Sequence, residues 1–358
     1  MPIENTDVLV VGGGPAGLAA AIAARRQGFR VTLADGAKPP IDKACGEGLM
    51  PQGVRALARL GIKIPAADSY PFHGVEFFTN DRSAGAKFSQ GFGLGMRRTK
   101  LHSLLTEAAS VHGVTMLWNS PVSALEPGSA LVGGKRLRFD YLIGADGGSS
   151  TVRSAMGFTA IQFQDKRFGF RRHFAVAPWS DCVEVYWAHG FQVYVTPVDD
   201  GQVGIAVIAR DSKLRVASAV AHCPNLARRL RFAAPTSTER GSASVSRRLP
   251  CVTKGNVALV GDASGSLDAI TGDGLSLAFE QAEALGKALR AGEMAPYEAA
   301  HRRIRRAPSL MAAALLAMDR YPLLNRLVMR GLSAKPAIFS QILNFHTANE
   351  VPTLQRLA

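Results

Sequence analysis

The chain has 358 residues and a mass of 38.0 kDa, which excludes a small module held together by disulfides or a metal. Apolar residues make up 47% of the sequence and charged residues 20%, so a disordered or fibrous chain is also excluded. The formal net charge is +14. A nucleic acid, a membrane surface or an anionic ligand would each explain that excess.

The cysteines indicate the redox compartment. Cys45, Cys182, Cys223 and Cys251 lie far apart, without the spacing of a zinc site or a disulfide framework. We therefore predict no metal site and a cytoplasmic protein. The longest late apolar stretch, residues 310–318, is shorter than the roughly 20 residues of a membrane-spanning helix. Peripheral contact with the inner membrane surface stays open.

The first elements form a βαβ unit. A β-branched run at residues 7–11 predicts a buried parallel strand, and an Ala-rich segment at 16–27 predicts a helix. A second strand at 29–34 ends at Asp35. Strand, glycine turn, helix and strand together span about 30 residues, the setting in which a glycine fingerprint binds a dinucleotide.

The glycine turn joins the first strand to the helix. Gly12 permits the tight turn, Gly14 lets the backbone approach a pyrophosphate, and Gly17 lets the helix pack on the strand. Asp35 can accept both hydroxyls of an adenosine ribose. We also assign the first helical residues, Pro15 and Ala16, to the cofactor site. This pattern alone does not separate NAD from FAD.

Further strands are predicted at 141–145 and 257–260, in the same sheet as the first two. Period-two alternation near 74–95 and 160–210 predicts a mostly antiparallel second layer, and from Gly274 onward the composition favours helices. The expected fold class is α/β: a Rossmann-like, glutathione-reductase-type domain, an antiparallel substrate-binding layer and a helical C-terminal region. The predicted domains are 1–73 with 96–158 and 250–292 for the cofactor, 74–95 with 159–249 for the substrate, and 293–358 for the helical region.

Two segments carry a family resemblance. LIGADGGSSTVR at 142–153 and LVGDASGSLDAITGDGLSLAFEQA at 259–282 resemble the flavoprotein superfamily that includes p-hydroxybenzoate hydroxylase and the geranylgeranyl reductases. The resemblance implies non-covalent FAD, with Asp262 on the ribityl chain and Asp146 at the junction between the cofactor and substrate layers. Both aspartates could instead cap helices.

The same resemblance puts the helix start at Gly272 and Gly274 beside the flavin pyrimidine ring. Backbone donors at Gly274 and Leu275 would stabilise the negative charge of a reduced flavin.

Three weaker matches extend the resemblance. ACGEGLMP at 44–51 is similar to a loop that passes close to the flavin, which implies cofactor contacts for Cys45, Gly46 and Gly48. Arg98, before a helix predicted at 101–112, could pair with phosphate or ribityl oxygens, and Arg97 could take its role instead. Val122 matches a backbone position that touches the adenine.

The superfamily implies two reactions. Hydroxylases use NAD(P)H and oxygen to oxygenate an electron-rich ring, whereas geranylgeranyl reductases reduce isoprenoid double bonds. We favour an NAD(P)H-using monooxygenase acting on a hydrophobic aromatic or polyketide-like molecule, and keep the reductase as the alternative. Glu47 departs from the loop of the reductases, and Gly265 stands in a segment where the hydroxylases usually carry His and Pro.

Substrate contacts are expected from the antiparallel layer, where the candidates are Phe170, Arg172, Tyr186 and Tyr194. Alternation places Phe170 and Arg172 on one strand face and His173 on the other. His173 as a general base and Cys45 as a proton donor are the catalytic candidates, although either side chain could serve only structure.

The tail suggests a third class, a non-catalytic flavin-binding protein at a membrane. Arg302, Arg303, Arg305 and Arg306 precede the apolar segment at 310–318, and more arginines follow. Such helices can lie on anionic lipid, or pack inward with their arginines solvated. Recognition motifs for nucleic acid are lacking, so we expect no nucleic-acid partner. The sequence leaves the oligomeric state open.

Overall fold

The computed structural model describes residues 4–347, except for the side chains of Glu4 and residues 162–165. The described strands are β1 (Glu4–Val11), β2 (Val31–Ala34), β3 (Gly48–Leu49), β4 (Tyr70–Phe72), β5 (Gly74–Phe78), β6 (Ser83–Lys87), β7 (Gly93–Gly95), β8 (Thr115–Leu117), β9 (Val122–Glu126), β10 (Ser129–Val132), β11 (Lys135–Gly144), β12 (Ile161–Ala175), β13 (Cys182–Ala188), β14 (Phe191–Asp199), β15 (Gln202–Ala209), β16 (Ala234–Pro235), β17 (Arg240–Arg248), β18 (Thr253–Lys254) and β19 (Val257–Leu259).

The described α-helices are α1 (Pro15–Arg25), α2 (Pro51–Arg59), α3 (Arg98–Val111), α4 (Thr151–Ala155), α5 (Val216–Ala221), α6 (Pro224–Arg229), α7 (Gly274–Ala291), α8 (Ala295–Arg320), α9 (Pro322–Ala334) and α10 (Pro336–Thr347). Short 3₁₀ turns lie at Ala66–Asp68, Gly261–Ser264 and Ala269–Thr271. Helices alone occupy the chain from residue 274 to 347, apart from short connections.

The first sheet contains all four strands predicted for the cofactor layer. Its order is β18-β19-β11-β1-β2-β8, with β10 and β9 added beside β11. β1 runs parallel to β2 and to β11, and β11 runs parallel to β19. Val8 to Val10 are fully buried because α1 joins two parallel strands and covers the sheet, and α7 packs on α1.

Some predicted boundaries shift by a few residues. α1 ends at Arg25 instead of residue 27, and Gly28 beyond it has a φ of +93°, a left-handed value that ends the helix. α3 starts at Arg98, three residues before the predicted start. These shifts leave the predicted order of elements unchanged.

The second sheet is the predicted antiparallel layer. Its order is β16-β12-β15-β14-β13-β5-β6, with β17 paired to β12, and only the β13–β5 pair among those described is parallel. α5 and α6 cover one face. α8, α9 and α10 cover part of the other face, which gives this sheet two separate apolar clusters.

A small third sheet, β3-β7-β4, includes the end of the Cys45 loop, residues 44–51. Hydrogen bonds tie this loop to Thr196 of β14 and to the start of α3 at Arg98. Within residues 4–347, no helix is long and apolar enough to cross a membrane. The side chains described there form no cluster of metal ligands either.

Candidate functional site

The glycine turn opens the first helix onto free space. A Cβ on Gly12 would lie 2.4 Å from the carbonyl oxygen of Ala145, and one on Gly17 would lie 1.8 Å from that of Gly12. A Cβ on Gly14 would meet no other atom within 4 Å. Gly12 and Gly17 are therefore required by packing, whereas Gly14 keeps the uncapped N-terminus of α1 open to a ligand.

Asp35 follows β2 and lies beside this turn. Its Oδ2 accepts a hydrogen bond from Gly13 N–H at 2.6 Å, and its Oδ1 accepts one from Ala37 N–H at 2.7 Å. Each carboxylate oxygen keeps a lone pair for another donor. The Asp35 carbonyl accepts from Ser120 N–H at 2.8 Å, which brings the segment leading to Val122 next to the same edge.

His102 and Trp118 support the turn and were not predicted to do so. His102 Nε2 bonds the carbonyl oxygen of Gly13 at 2.9 Å, and the His102 and Trp118 rings lie 6.0 Å apart. A Cβ on Gly13 would lie 2.3 Å from the Trp118 ring. Burial lowers the pKa of His102, so a neutral ring donates to the carbonyl. Its only sequence signal is a position one helical turn after Arg98 on α3.

Asp262 lies in the 3₁₀ turn after β19. Its side chain is 49% exposed, and its nearest cation is Lys43 at 3.9 Å. The backbone of the turn is held from beneath, because Gln281 of α7 accepts from Gly261 N–H at 2.8 Å. A half-exposed carboxylate on a fixed turn is available to a bound ligand.

α8 supports this turn through three inward side chains spaced four residues apart. The Tyr297 hydroxyl donates to the carbonyl of Leu259 at 2.6 Å, and the Arg305 guanidinium donates to that of Gly265 at 2.5 Å. His301 Nε2 lies 3.0 Å from Ser264 Oγ. Burial, together with nearby arginines, lowers the pKa of His301 to about 3. This i, i+4, i+8 spacing was the available sequence signal.

Asp146 and Arg153 connect the two segments that carry the family resemblance. The Asp146 carboxylate accepts from the N–H groups of Thr151 at 2.7 Å and Val152 at 3.1 Å, which is the helix-capping role left open above. Its Oδ1 is buried without a hydrogen-bond partner among the described residues. Arg153 donates to Ala263 O of the other segment at 3.2 Å, as well as to a carbonyl in its own.

The start of α7 is also open. Gly272 has a left-handed φ of +70°, and a Cβ on Gly272 or Gly274 would meet no atom within 4 Å. Asp273 precedes the helix but makes no side-chain cap, so it leaves the N–H groups at Gly274 and Leu275 uncapped. His346 of α10 lies 3.0 Å from the Asp273 carboxylate. Burial lowers the pKa of His346, but Asp273 and Glu280 raise it by more.

The Cys45 loop is held by a buried carboxylate. Glu47 has a φ of +60°, which is uncommon for a residue with a side chain, and is 3% exposed. Its Oε1 accepts from Arg98 N–H at 2.8 Å, and its Oε2 lies 2.5 Å from His173 Nε2. Cys45 Sγ accepts from Glu47 N–H at 3.3 Å, and burial raises the pKa of this thiol.

Both ring nitrogens of His173 are occupied by protein groups. Nδ1 lies 2.8 Å from Ser237 Oγ and 3.2 Å from an Arg171 nitrogen, and the ring is fully buried. Arg171 also pairs with Asp42 at 2.5 Å. The structure thus brings Cys45, Arg98 and His173 together through Glu47, the residue that sequence reasoning noted but left out of the site.

The remaining loop residues face different surroundings. A Cβ on Gly46 would meet open space, whereas one on Gly48 would touch Phe72 and Thr196 at 3.8 Å. Thr196 donates to the carbonyl of Gly46 at 2.8 Å, which fixes the loop to β14. The Arg98 guanidinium keeps a buried Nε without a partner among the described residues.

The four substrate candidates do not lie together. Tyr194 donates to Ile270 O at 2.7 Å, directly before the start of α7, and packs in the cluster beneath the C-terminal helices. Phe170 and Tyr186 pack on the opposite face of the sheet, under α5 and α6. Arg172 is half-buried and donates to Ser237 O at 3.2 Å. Of the four, only Tyr194 adjoins the Gly272 helix start.

These features of the site suit a flavin dinucleotide as the bound ligand. Two open helix starts, at Gly14 and Gly274, offer backbone donors to anionic groups. Arg98 supplies a buried Nε donor that has no partner in the part of the chain that the structure describes. Asp35 and Asp262 offer carboxylate oxygens for sugar and ribityl hydroxyls.

Comparison with known proteins agrees with this geometry. A family model described as an FAD binding domain matches residues 5–294. Menaquinone reductase from Mycolicibacterium smegmatis is 28% identical over 329 residues, covering 83% of this chain and 79% of the relative. 6-Methylpretetramide 4-monooxygenase from Streptomyces rimosus is 29% identical over 223 residues, covering 51% and 53%. A geranylgeranyl bacteriochlorophyll reductase-like structure from Thermoplasma acidophilum superposes with a TM-score of 0.77 at 20% identity, covering 95% and 92%.

The predicted superfamily and fold class are confirmed, because the family model spans the cofactor layer and the structural match spans nearly the whole chain. The chain belongs to the FAD binding domain family and is an FAD-dependent oxidoreductase of the monooxygenase-like group.

Proposed function

We propose that this enzyme uses NAD(P)H and O₂ to hydroxylate a hydrophobic aromatic or polyketide-like small molecule. Each turnover would consume one NAD(P)H, one proton and one O₂, and would release NAD(P)⁺, one water and the hydroxylated product. Bound FAD supplies the redox chemistry by accepting a hydride and activating oxygen. The protein binds and orients the reactants and excludes water.

The observation that carries this proposal is the apolar cluster beside the open start of α7. Met50, at the end of the Cys45 loop, and Ile270, before Gly272, belong to one buried cluster with Trp187 and Tyr194. The cluster thus adjoins both loops assigned to the flavin. Aromatic and aliphatic side chains of this kind favour a flat, apolar substrate, and such surroundings keep water from the reacting atoms.

The residues proposed for FAD follow from their positions. Gly12, Gly14, Pro15, Ala16 and Gly17 form the pyrophosphate turn. Asp35 and Val122 line the adenosine end, Arg98 and Asp262 serve the phosphate and ribityl groups, and Gly272, Gly274 and Leu275 face the pyrimidine. Cys45, Gly46 and Gly48 pass the flavin, and Asp146 holds the junction. NAD(P)H is the proposed electron donor.

Glu47 and His173 are proposed to position the loop and not to act as a base on the substrate. His173 is fully buried and both of its nitrogens are engaged, so no lone pair is free for a phenol. Deprotonation of the substrate is therefore not assigned to it.

The test uses the purified yellow holoenzyme with NADPH and a panel of phenolic and polyketide-derived aromatics. Substrate-stimulated NADPH oxidation in air should accompany a product that has gained one oxygen atom, and labelled O₂ should supply that atom. A product without label, or product formation that is unchanged without oxygen, would contradict hydroxylation.

A second candidate is reduction of an isoprenoid C=C bond. It is supported by the relative named menaquinone reductase, which matches most of both chains, and by Cys45, whose raised thiol pKa suits a proton donor. Here one NAD(P)H and one proton would saturate one double bond. Cys45→Ser separates the two candidates. The hydroxylase should keep most of its activity, whereas the reductase should lose at least about tenfold because its proton donor is gone.

A further inference from the structure

The exposed apolar side chains of this protein are concentrated in one region. Among residues 4–347, seven of the eleven large hydrophobic residues that are exposed lie between Leu310 and Phe345. Leu323 and Leu327 of α9 are 75% and 67% exposed, although the same helix buries Met329 and Leu332 against the second sheet. Isolated exposed leucines are ordinary, but this concentration marks a contact surface.

The two last described helices each present an apolar stripe outward. Leu323 and Leu327 are four residues apart on α9. Ile338, Ile342 and Phe345 follow the spacing i, i+4, i+7 on α10, and each is about two-fifths exposed. This spacing keeps the three side chains on one side of the helix, next to the stripe that is buried. We call these five residues the outer stripe.

The last described helices carry mostly positive charge. Residues 301–347 contain eight lysines and arginines but a single acidic residue, Asp319. The Asp319 side chain is fully buried and pairs with Arg167 and Arg210, so it contributes no exposed negative charge here. Arg326 and Arg330 are exposed on α9 between and beside the outer leucines. The surface therefore combines apolar contact area with exposed positive charge.

We propose that α9 and α10 dock this protein on the surface of an anionic lipid bilayer. Acyl chains accept the outer stripe, while lipid phosphates accept the arginines, whose long stems let the guanidinium groups reach the headgroups. A second copy fits less well, because a symmetric contact would bring the same arginines against each other. Nucleic acid would leave the leucines exposed to water. This inference does not depend on which reaction the enzyme catalyses.

The experiment is co-sedimentation of the FAD-bound protein with phosphatidylcholine vesicles, with and without phosphatidylglycerol, at low and raised salt. We expect binding only to the anionic vesicles, and release by salt because the Debye length shrinks. Arg326→Ser with Arg330→Ser should lower the partition coefficient roughly 30-fold, about fivefold per arginine. Leu323→Ser with Leu327→Ser should lower binding to the anionic vesicles at low salt.

The matched control replaces Arg228 and Arg229 of α6 by serine. Both are exposed, and they lie on the helical layer behind the opposite face of the second sheet, so this variant has the same net charge as the α9 arginine variant. It should bind vesicles like the parent. Flavin absorbance and the Tm of every variant verify folding, and Ile342→Ser on α10 provides an independent test of the stripe.

Three outcomes would overturn the proposal. One is the absence of sedimentation at low salt, and another is an equal loss of binding in the α6 control. The third is a dimer of the parent protein, detected by light scattering, that becomes a monomer in the leucine variant while vesicle binding is unchanged. That result would assign the outer stripe to a second copy of the chain.

Discussion

Glu47→Ala should destabilise the protein far more than the loss of an exposed ion pair of the same length. Glu47 and His173 approach to 2.5 Å, with side chains that are 1% and 0% exposed. Lys87 and Asp181 also approach to 2.5 Å, but their side chains are 56% and 54% exposed. The two pairs differ in burial and not in distance, so together they isolate the effect of solvent.

The expected magnitude follows from the groups that lose their partner. Removing the Glu47 carboxylate leaves Arg98 N–H and His173 Nε2 without their acceptor, and leaves Arg171 with Asp42 as its remaining carboxylate. Breaking a buried pair in this way costs about 3–5 kcal/mol. Alanine keeps the Cβ and therefore the left-handed backbone cost at this position, so that cost cancels. Asp181→Ala should cost about 1 kcal/mol or less.

The assay is urea unfolding of the FAD-bound protein, followed by flavin and tryptophan fluorescence. Glu47→Gln has nearly the shape of glutamate and can still accept from Arg98 N–H, so its stability should lie between those of Glu47→Ala and the parent. If Glu47→Ala and Asp181→Ala lower the free energy of unfolding by amounts that agree within about 1 kcal/mol, the reasoning is refuted, because burial would then make no difference.

Three other predictions concern the cofactor site. Gly14→Val should lower FAD occupancy with little effect on apoprotein stability. Gly17→Ala should lower the free energy of unfolding of the apoprotein by about 3 kcal/mol, because its Cβ would lie 1.8 Å from Gly12 O. Equal Tm values for the two apoproteins would contradict this prediction. Because the pKa of His301 is lowered to about 3, the unfolded chain binds a proton below about pH 6.5 that the folded chain does not bind. The free energy of unfolding should therefore fall as the pH is lowered, by about 2–3 kcal/mol at pH 4.5. His301→Gln should lack this part of the pH dependence in urea titrations. Asp262→Ala should weaken FAD retention roughly tenfold or more in dialysis measured by flavin absorbance, and unchanged occupancy would remove this residue from the site.

The sequence predicted most of what backbone geometry decides. Gly12 and Gly17 are glycines because a carbonyl oxygen occupies the place of a Cβ, and such a requirement is visible as a fixed spacing after a strand. The four predicted strands of the first sheet were recognisable because strands buried on both faces consist of unbroken apolar runs.

Side chains that reach across the fold were not predictable in this way. His102 contacts Gly13 across 89 positions, and His173 contacts Glu47 across 126. No local periodicity records such a contact, because each partner sits in an element whose pattern is explained without it. Strand alternation correctly placed Phe170 and His173 on opposite faces of the sheet. It could not tell which of the two faces meets the cofactor layer.

The net charge of +14 illustrates the same limit within a single helix. Arg305 of α8 is turned inward onto Gly265 O, and burial lowers its pKa, whereas Arg302, Arg303 and Arg306 of the same helix are exposed. A count of charges treats the four as equal. One of them supports the Asp262 turn, and the others add to the positive surface that continues along α9. Folding therefore divides the excess charge between a buried support of the cofactor loop and an outward surface that carries the lipid contact proposed above.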